Sequence, residues 1–104
     1  MAAATIEMQA LEQKTEEVAA VLKALANPRR LLLLCKLAEH GRMNVGQLAT
    51  SVGISQSALS QHLAVMREEQ LVAFDRDGQT LNYRIADQRL TALLDSLYRI
   101  YCAE

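Results

Sequence analysis

The chain has 104 residues, a mass of 11.5 kDa, a formal net charge of -1 and an isoelectric point near 6.1, which is one domain with room for one hydrophobic core. Hydrophobic residues make up 51% but aromatic ones only 4%; the bulk is 17 Leu and 16 Ala, strong helix formers, with one Pro and four Gly to interrupt them. That balance excludes a β-sandwich, a collagen-like chain and a disordered chain, and no apolar run is longer than Leu31–Cys35, which is too short to span a bilayer.

In chain order, a first helix is expected over Thr5–Ala26, where Val18, Val21, Leu22 and Leu25 recur at helical spacing. Asn27-Pro28 ends it and opens a second, with Asn27 as N-cap and Pro28 in the first turn. The second helix runs to His40 and stops at Gly41; Leu31, Leu34, Cys35 and Ala38 form its main stripe, which predicts the buried centre of the domain. Asn44 and Gln47 resemble a capping box for a short third helix carrying Val45, Leu48, Ala49 and Val52 and ending at Gly53. Ser55 caps a fourth helix to Glu69, with Leu59, His62, Leu63 and Met66 on one face and Gln56, Ser57, Ser60, Gln61 and Arg67 on the other. The period then changes. Leu71–Phe74 and Thr80–Ile85 flank Asp75–Gln79, which contains Asp-Gly and predicts a β-hairpin. A last helix over Asp87–Cys102 carries Leu90, Leu93, Leu94, Leu97, Tyr98 and Tyr101 on a broad face.

Two helices joined by a short turn containing a glycine are the helix-turn-helix pattern, whose second helix enters a major groove. Gln56 and Gln61 suit adenine edges, while Ser55, Ser57 and Ser60 suit bases or phosphates. Arg67 and the basic run Lys23, Arg29, Arg30 and Lys36 supply candidate phosphate contacts, and Arg76 stands at the tip of the hairpin. The other reading of the same residues is an exposed polar helix face and a solvated loop. The wide apolar stripes of the first and last helices exceed what so small a domain covers alone, which predicts a homodimer. No glycine-rich phosphate loop, nucleophile elbow or clustered acid-base pair points to an enzyme.

The segments Leu25–Leu31 (LANPRRL) and Ser55–Leu63 (SQSALSQHL) resemble the ArsR/SmtB family of bacterial winged-helix repressors, over nearly the whole chain. The resemblance implies a mainly α winged helix-turn-helix of order ααααββα, with residues 1–104 as one DNA-binding domain flanked by dimerisation helices. It also implies a homodimer that reads an inverted repeat in double-stranded DNA and an inducer that releases it. Where the family's third-helix metal motif has two thiolates this chain has Asn44 and Gly46, and where its last helix needs Asp-x-His and a later His this chain has Asp87, Arg89 and no His beyond His62. No metal site and no cofactor is therefore expected; His40 reads as a polar helix end and His62 as a residue packed or bonded at the edge of the fourth helix.

Cys35 and Cys102 are too few for a disulfide framework, and with no basic-then-apolar leader at the N-terminus they read as reduced thiols of a cytoplasmic protein with no membrane contact. Taken singly, Cys35 can be a buried small hydrophobe and Cys102 a frayed end. Their placement resembles the thiol-sensing BigR, SqrR and HlyU branch of the family, which implies that Cys35 and Cys102 form a switch and that reactive sulfur species are the inducer. Three alternatives stay open: a repressor, a HlyU-like activator that displaces another repressor, and a helical dimer that binds protein instead of DNA.

Overall fold

A computed structural model describes residues 7–102, so the expected helix start at Thr5 lies outside the described residues. The elements are α1 (Met8–Glu12), α2 (Thr15–Leu25), α3 (Pro28–His40), β1 (Met43–Asn44), α4 (Val45–Val52), α5 (Gln56–Glu68), β2 (Val72–Asp77), β3 (Thr80–Ile85) and α6 (Gln88–Tyr101).

From α3 onward each helix begins on the cap that the sequence marks. The Asn27 side chain accepts from the amides of Arg29 and Arg30, Asn44 and Gln47 complete a reciprocal capping box, Ser55 accepts from Ala58, and Asp87 accepts from Arg89. Each such cap satisfies backbone donors that have no partner inside the helix. Gly53 closes α4 in the left-handed region at φ 80°, where a Cβ would be strained.

The core gathers Leu33, Leu34 and Leu37 of α3 with Leu48, Ala49 and Val52 of α4, Leu59, Leu63 and Met66 of α5, Tyr83 and Ile85 of β3, and Leu90 and Leu94 of α6. Helix α3 touches α2, α4, β3 and α6, and so is the central helix the sequence predicts. Its buried stripe differs, however: Leu33, Leu34 and Leu37 face inward, Leu31 is half-buried, and Cys35 and Ala38 reach solvent. Five successive apolar residues leave the phase of the helix undetermined, and packing against α4 and β3 selects it.

The expected single first helix is two. Lys14 N–H bonds Leu11 O at 2.9 Å, and the Thr15 hydroxyl donates back to Glu12 O at 3.1 Å. That is the local competition by which Thr loosens a helix. Between β2 and β3 the turn is only Gly78-Gln79, shorter than the expected Asp75–Gln79, because pairing continues to Asp77↔Thr80. Gly78 takes φ 63°, which a two-residue hairpin requires of its first central residue when the turn is of type II′. The sheet also has a strand that the sequence does not announce. β1 pairs with β3 through Met43↔Tyr83 and Asn44↔Asn82, giving the antiparallel order β1-β3-β2.

Several large apolar side chains remain uncovered. Val18 and Leu22 of α2, Leu32 of α3, and Tyr98, Ile100 and Tyr101 of α6 are exposed, the last at 80%. No helix among the described residues is long and apolar enough to cross a membrane.

Gln70, in the link from α5 to β2, holds φ 62°, a region that favours glycine. The Gln70→Gly variant is expected to gain about 0.5–1 kcal/mol of stability, read as a higher urea midpoint. A lower midpoint would show that the residue is held there without strain.

Candidate nucleic-acid interface

Helices α4 and α5 are joined by the three-residue turn Gly53-Ile54-Ser55, in which Gly53 N–H and Ile54 N–H both bond Ala49 O. Helix α5 is anchored by Leu59, Leu63 and Met66, at most 1% exposed. Gln56, Ser57, Ser60 and Gln61 of the same helix are all exposed. Ser55 stands just before them with its oxygen occupied as the cap of α5. A groove lined by Asn44, Gly46, Gln56, Gln79, Thr80 and Leu81 separates the start of α5 from the hairpin turn. Arg76 lies next to that turn, opposite Leu81, exposed and in no ion pair among the described residues.

Arg67 is placed differently from the expectation of a phosphate contact. Its guanidinium donates to the Tyr83 hydroxyl at 2.8 Å and lies 5.5 Å from the centre of the Phe74 ring. The hydrogen bond and the cation–π contact draw it back onto the sheet, where it braces the hairpin against α5. Arg29, which is exposed, and Arg30, which is half-buried, also bond within the fold. Arg29 Nη1 donates to Gly53 O at 3.4 Å, and Arg30 Nε donates to His62 Nδ1 at 3.1 Å. These contacts are not legible from charge alone, because the same basic run reads as a phosphate-binding cluster. At the hairpin base Asp75 pairs with both Arg42 (2.9 Å) and Arg84 (3.4 Å), a link the sequence reading did not include.

His62 sits at the edge of α5 as expected, half-buried. Burial and the nearby Arg30 and Arg29 charges hold its imidazole below the ordinary value of 6.5. The bond from Arg30 requires an unprotonated Nδ1, which assigns the proton of the neutral ring to Nε2.

Cys35 and Cys102 both reach the surface, which removes the reading of Cys35 as a buried hydrophobe. Desolvation first, then the charge of Cys102, push the Cys35 thiol above its usual range, with Lys36 opposing. Cys35 lies on α3 and Cys102 caps the end of α6, two helices that pack against each other. No three His, Cys, Asp or Glu side chains gather as a metal site among the described residues.

Residues 27–73, from the cap of α3 into β2, match the family model for bacterial regulatory proteins of the arsR family. The biofilm growth-associated repressor of Agrobacterium fabrum is 42% identical over 94% of this chain and 83% of that protein. The chain belongs to the ArsR family. Its members are DNA-binding transcriptional regulators, not enzymes. The transcriptional activator HlyU of Vibrio cholerae is 38% identical over 95% of this chain and 91% of its own length. Among solved structures, the transcriptional repressor BigR of Xylella fastidiosa superposes with a TM-score of 0.87 at 38% identity, covering 95% of this chain and all of that one. A homodimeric winged helix-turn-helix DNA-binding domain from Mycobacterium bovis does so at 0.76 and 34% identity, covering 96% and 89%. The fold is therefore the winged helix-turn-helix of ArsR regulators, with β2 and β3 as the wing.

The lowered His62 pKa carries a sign. Since the unfolded chain takes up this proton at higher pH than the folded one, the stabilisation is complete above 6.5 and is lost as pH falls through the lower, folded value. The urea midpoint is expected to drop between about pH 7.5 and about pH 5, and less so in His62→Asn. Parallel pH profiles for the two proteins would show that His62 does not carry the effect.

Proposed function

We propose that this ArsR regulator is a homodimeric repressor that reads an inverted repeat through α5 and the wing, and that reactive sulfur species release it by bridging Cys35 and Cys102. The observation that carries the DNA reading is the joint exposure of Gln56, Ser57, Ser60 and Gln61 on a helix anchored by the buried Leu59, Leu63 and Met66. The uncovered apolar side chains of α2, α3 and α6 support the dimer: a second copy would remove from water several side chains that a lone chain leaves there. The homodimeric Mycobacterium bovis relative supports it too. Two-fold symmetry in the protein then calls for two-fold symmetry in the DNA. The relatives include both a repressor and an activator; in either sign of regulation the chain acts by occupying a DNA site.

The sulfur chemistry needs no outside oxidant when the inducer is an organic trisulfide. The thiolate of Cys102 attacks the central sulfur and expels one thiolate. The thiolate of Cys35 then attacks that same sulfur and expels the second. The product is a Cys102–S–S–S–Cys35 bridge plus two equivalents of thiol. Cys102 goes first in this scheme because it stands exposed at the end of α6, whereas burial raises the pKa of the Cys35 thiol. The bridge ties α3, which carries the helix-turn-helix, to α6, on the face given to the dimer. It thereby alters the spacing of the two reading helices.

Two outcomes are expected. Selection from a random-sequence library should recover an inverted repeat bound by two chains per duplex. The Gln56/Ser57/Gln61 triple alanine variant should bind it about 10-fold or more weaker, as expected for loss of base contacts worth about 1–3 kcal/mol each. Unchanged affinity in that variant would move base reading off α5. An organic trisulfide should weaken the wild type on the same duplex by about 5–150-fold and leave a bridged peptide pair one sulfur heavier than a disulfide. If Cys35→Ser and Cys102→Ser are released as the wild type is, the thiol switch is wrong.

A further inference from the structure

The first turn of α3 is held by contacts local in the sequence. Asn27 Oδ1 accepts from Arg29 N at 3.0 Å and from Arg30 N at 3.2 Å, and Pro28 fixes the backbone at the first helical position. Arg29 and Arg30 therefore leave a rigid base. One reaches Gly53 O, the left-handed residue at which α4 stops; the other reaches His62 Nδ1, midway along α5. Two adjacent side chains thus hold the turn of the helix-turn-helix and the helix that follows it.

The other restraints on α5 are the buried Leu59, Leu63 and Met66 and, in its last turn, the bond from Arg67 to the Tyr83 hydroxyl. Apolar contact fixes distance well, but it is non-directional. A hydrogen bond falls off steeply with angle, so a bond to one flank of a helix resists rotation about the helix axis. His62 directly follows Gln61, so a rotation that broke the bond from Arg30 would also swing Gln61 away from its target.

We infer that Arg30, assisted by Arg29, is a positioning residue for base reading: its bond to His62 sets the rotation of α5, and with it the direction in which Gln56, Ser57, Ser60 and Gln61 point. This rests on α5 being the reading helix. It reassigns a guanidinium that, by charge alone, belongs with the phosphates. Arg30 is half-buried and faces protein, so it adds little to the attraction between the protein and any DNA of arbitrary sequence.

Salt separates the two roles. A residue that neutralises a phosphate contributes about 0.9 to the slope of log affinity against log salt on duplex DNA, whereas a positioning residue contributes nothing. The experiment measures Kd over a range of KCl on two probes, a duplex selected by the wild type from a random library and a shuffled duplex of the same composition. Arg30→Met and His62→Leu are each expected to bind the selected duplex about 10-fold weaker, with the shuffled duplex changed less than about 2-fold and the slope unaltered. Combining the two should cost no more than either alone, since both remove one interaction. His62→Asn, whose amide oxygen can stand where Nδ1 stands, should remain within about 3-fold of wild type. Arg30→Lys keeps the charge and the fold but not the planar donor, and should lose preference for the selected duplex at an unchanged slope.

A slope lower by about 0.9 in Arg30→Met, with equal losses on both probes, would make Arg30 a phosphate contact and overturn the inference. Additive losses in the double variant, or wild-type preference in Arg30→Lys, would overturn it as well. Wild-type binding of the selected duplex by the Gln56/Ser57/Gln61 alanine variant would defeat the assignment of α5 itself, a failure visible apart from any result at Arg30.

Discussion

Leu33, Leu34 and Leu37 are almost entirely withdrawn from water, and the burial of these three side chains places α3 against α2, α4, β3 and α6 at once. Removing a buried leucine from such a position typically costs about 2–5 kcal/mol, a large part of the stability of a domain this size. Once that face is committed inward, the rest of α3 is fixed. Its first turn meets the helix-turn-helix through Arg29 and Arg30, and its opposite side leaves Leu32 and Cys35 at the surface. One helix therefore carries the packing, the link to α5 and one of the two thiols. A change at the thiol end has a rigid route of about one and a half turns to the Arg30 end.

Much of this was legible because helix ends are written in local chemistry. Asn27-Pro28, the Asn44/Gln47 pair, Ser55 and Asp87 each satisfy donors a few residues away, so their meaning does not depend on the fold. What stayed illegible is non-local or degenerate. Strand β1 is two residues long and exists only because β3 passes beside it. The run Leu31–Cys35 is apolar at every position, so no pattern tells which side faces inward. The break at Gln13-Lys14 falls in a stretch of good helix formers, where one Thr hydroxyl decides the outcome. Among the candidate site residues, the exposed ones on α5 lie where the helical period puts them. Arg67 is exposed too, but the engagement of its guanidinium could not be read, since its partners Phe74 and Tyr83 come from the sheet.

The charges explain how a chain of net charge -1 can belong to a family of DNA-binding proteins. Several cations are already matched: Arg42 and Arg84 by Asp75, Arg89 by Asp87 and Glu17, and Arg99 by Asp95. Arg29, Arg30 and Arg67 donate to neutral partners within the fold. Such pairs at the surface add little stability, but they blunt the positive field. Long-range attraction to DNA is correspondingly weak, so discrimination must come from the shape and donor pattern of the contact surface.

The pairing of Met43 with Tyr83 and of Asn44 with Asn82 joins the wing to the residues that cap α4. Wing and helix-turn-helix thus share a backbone seam, reinforced by the Arg42–Asp75 pair and by Arg67 on Phe74 and Tyr83. A hairpin attached only through its two ends would flap, and could seek its own contact after the helix had docked. Here the two arrive together as one rigid tool. On the proposed reading, a DNA site whose groove width suits the helix but not the wing would be met by both or by neither, and each chain would work as a single gauge of local groove geometry.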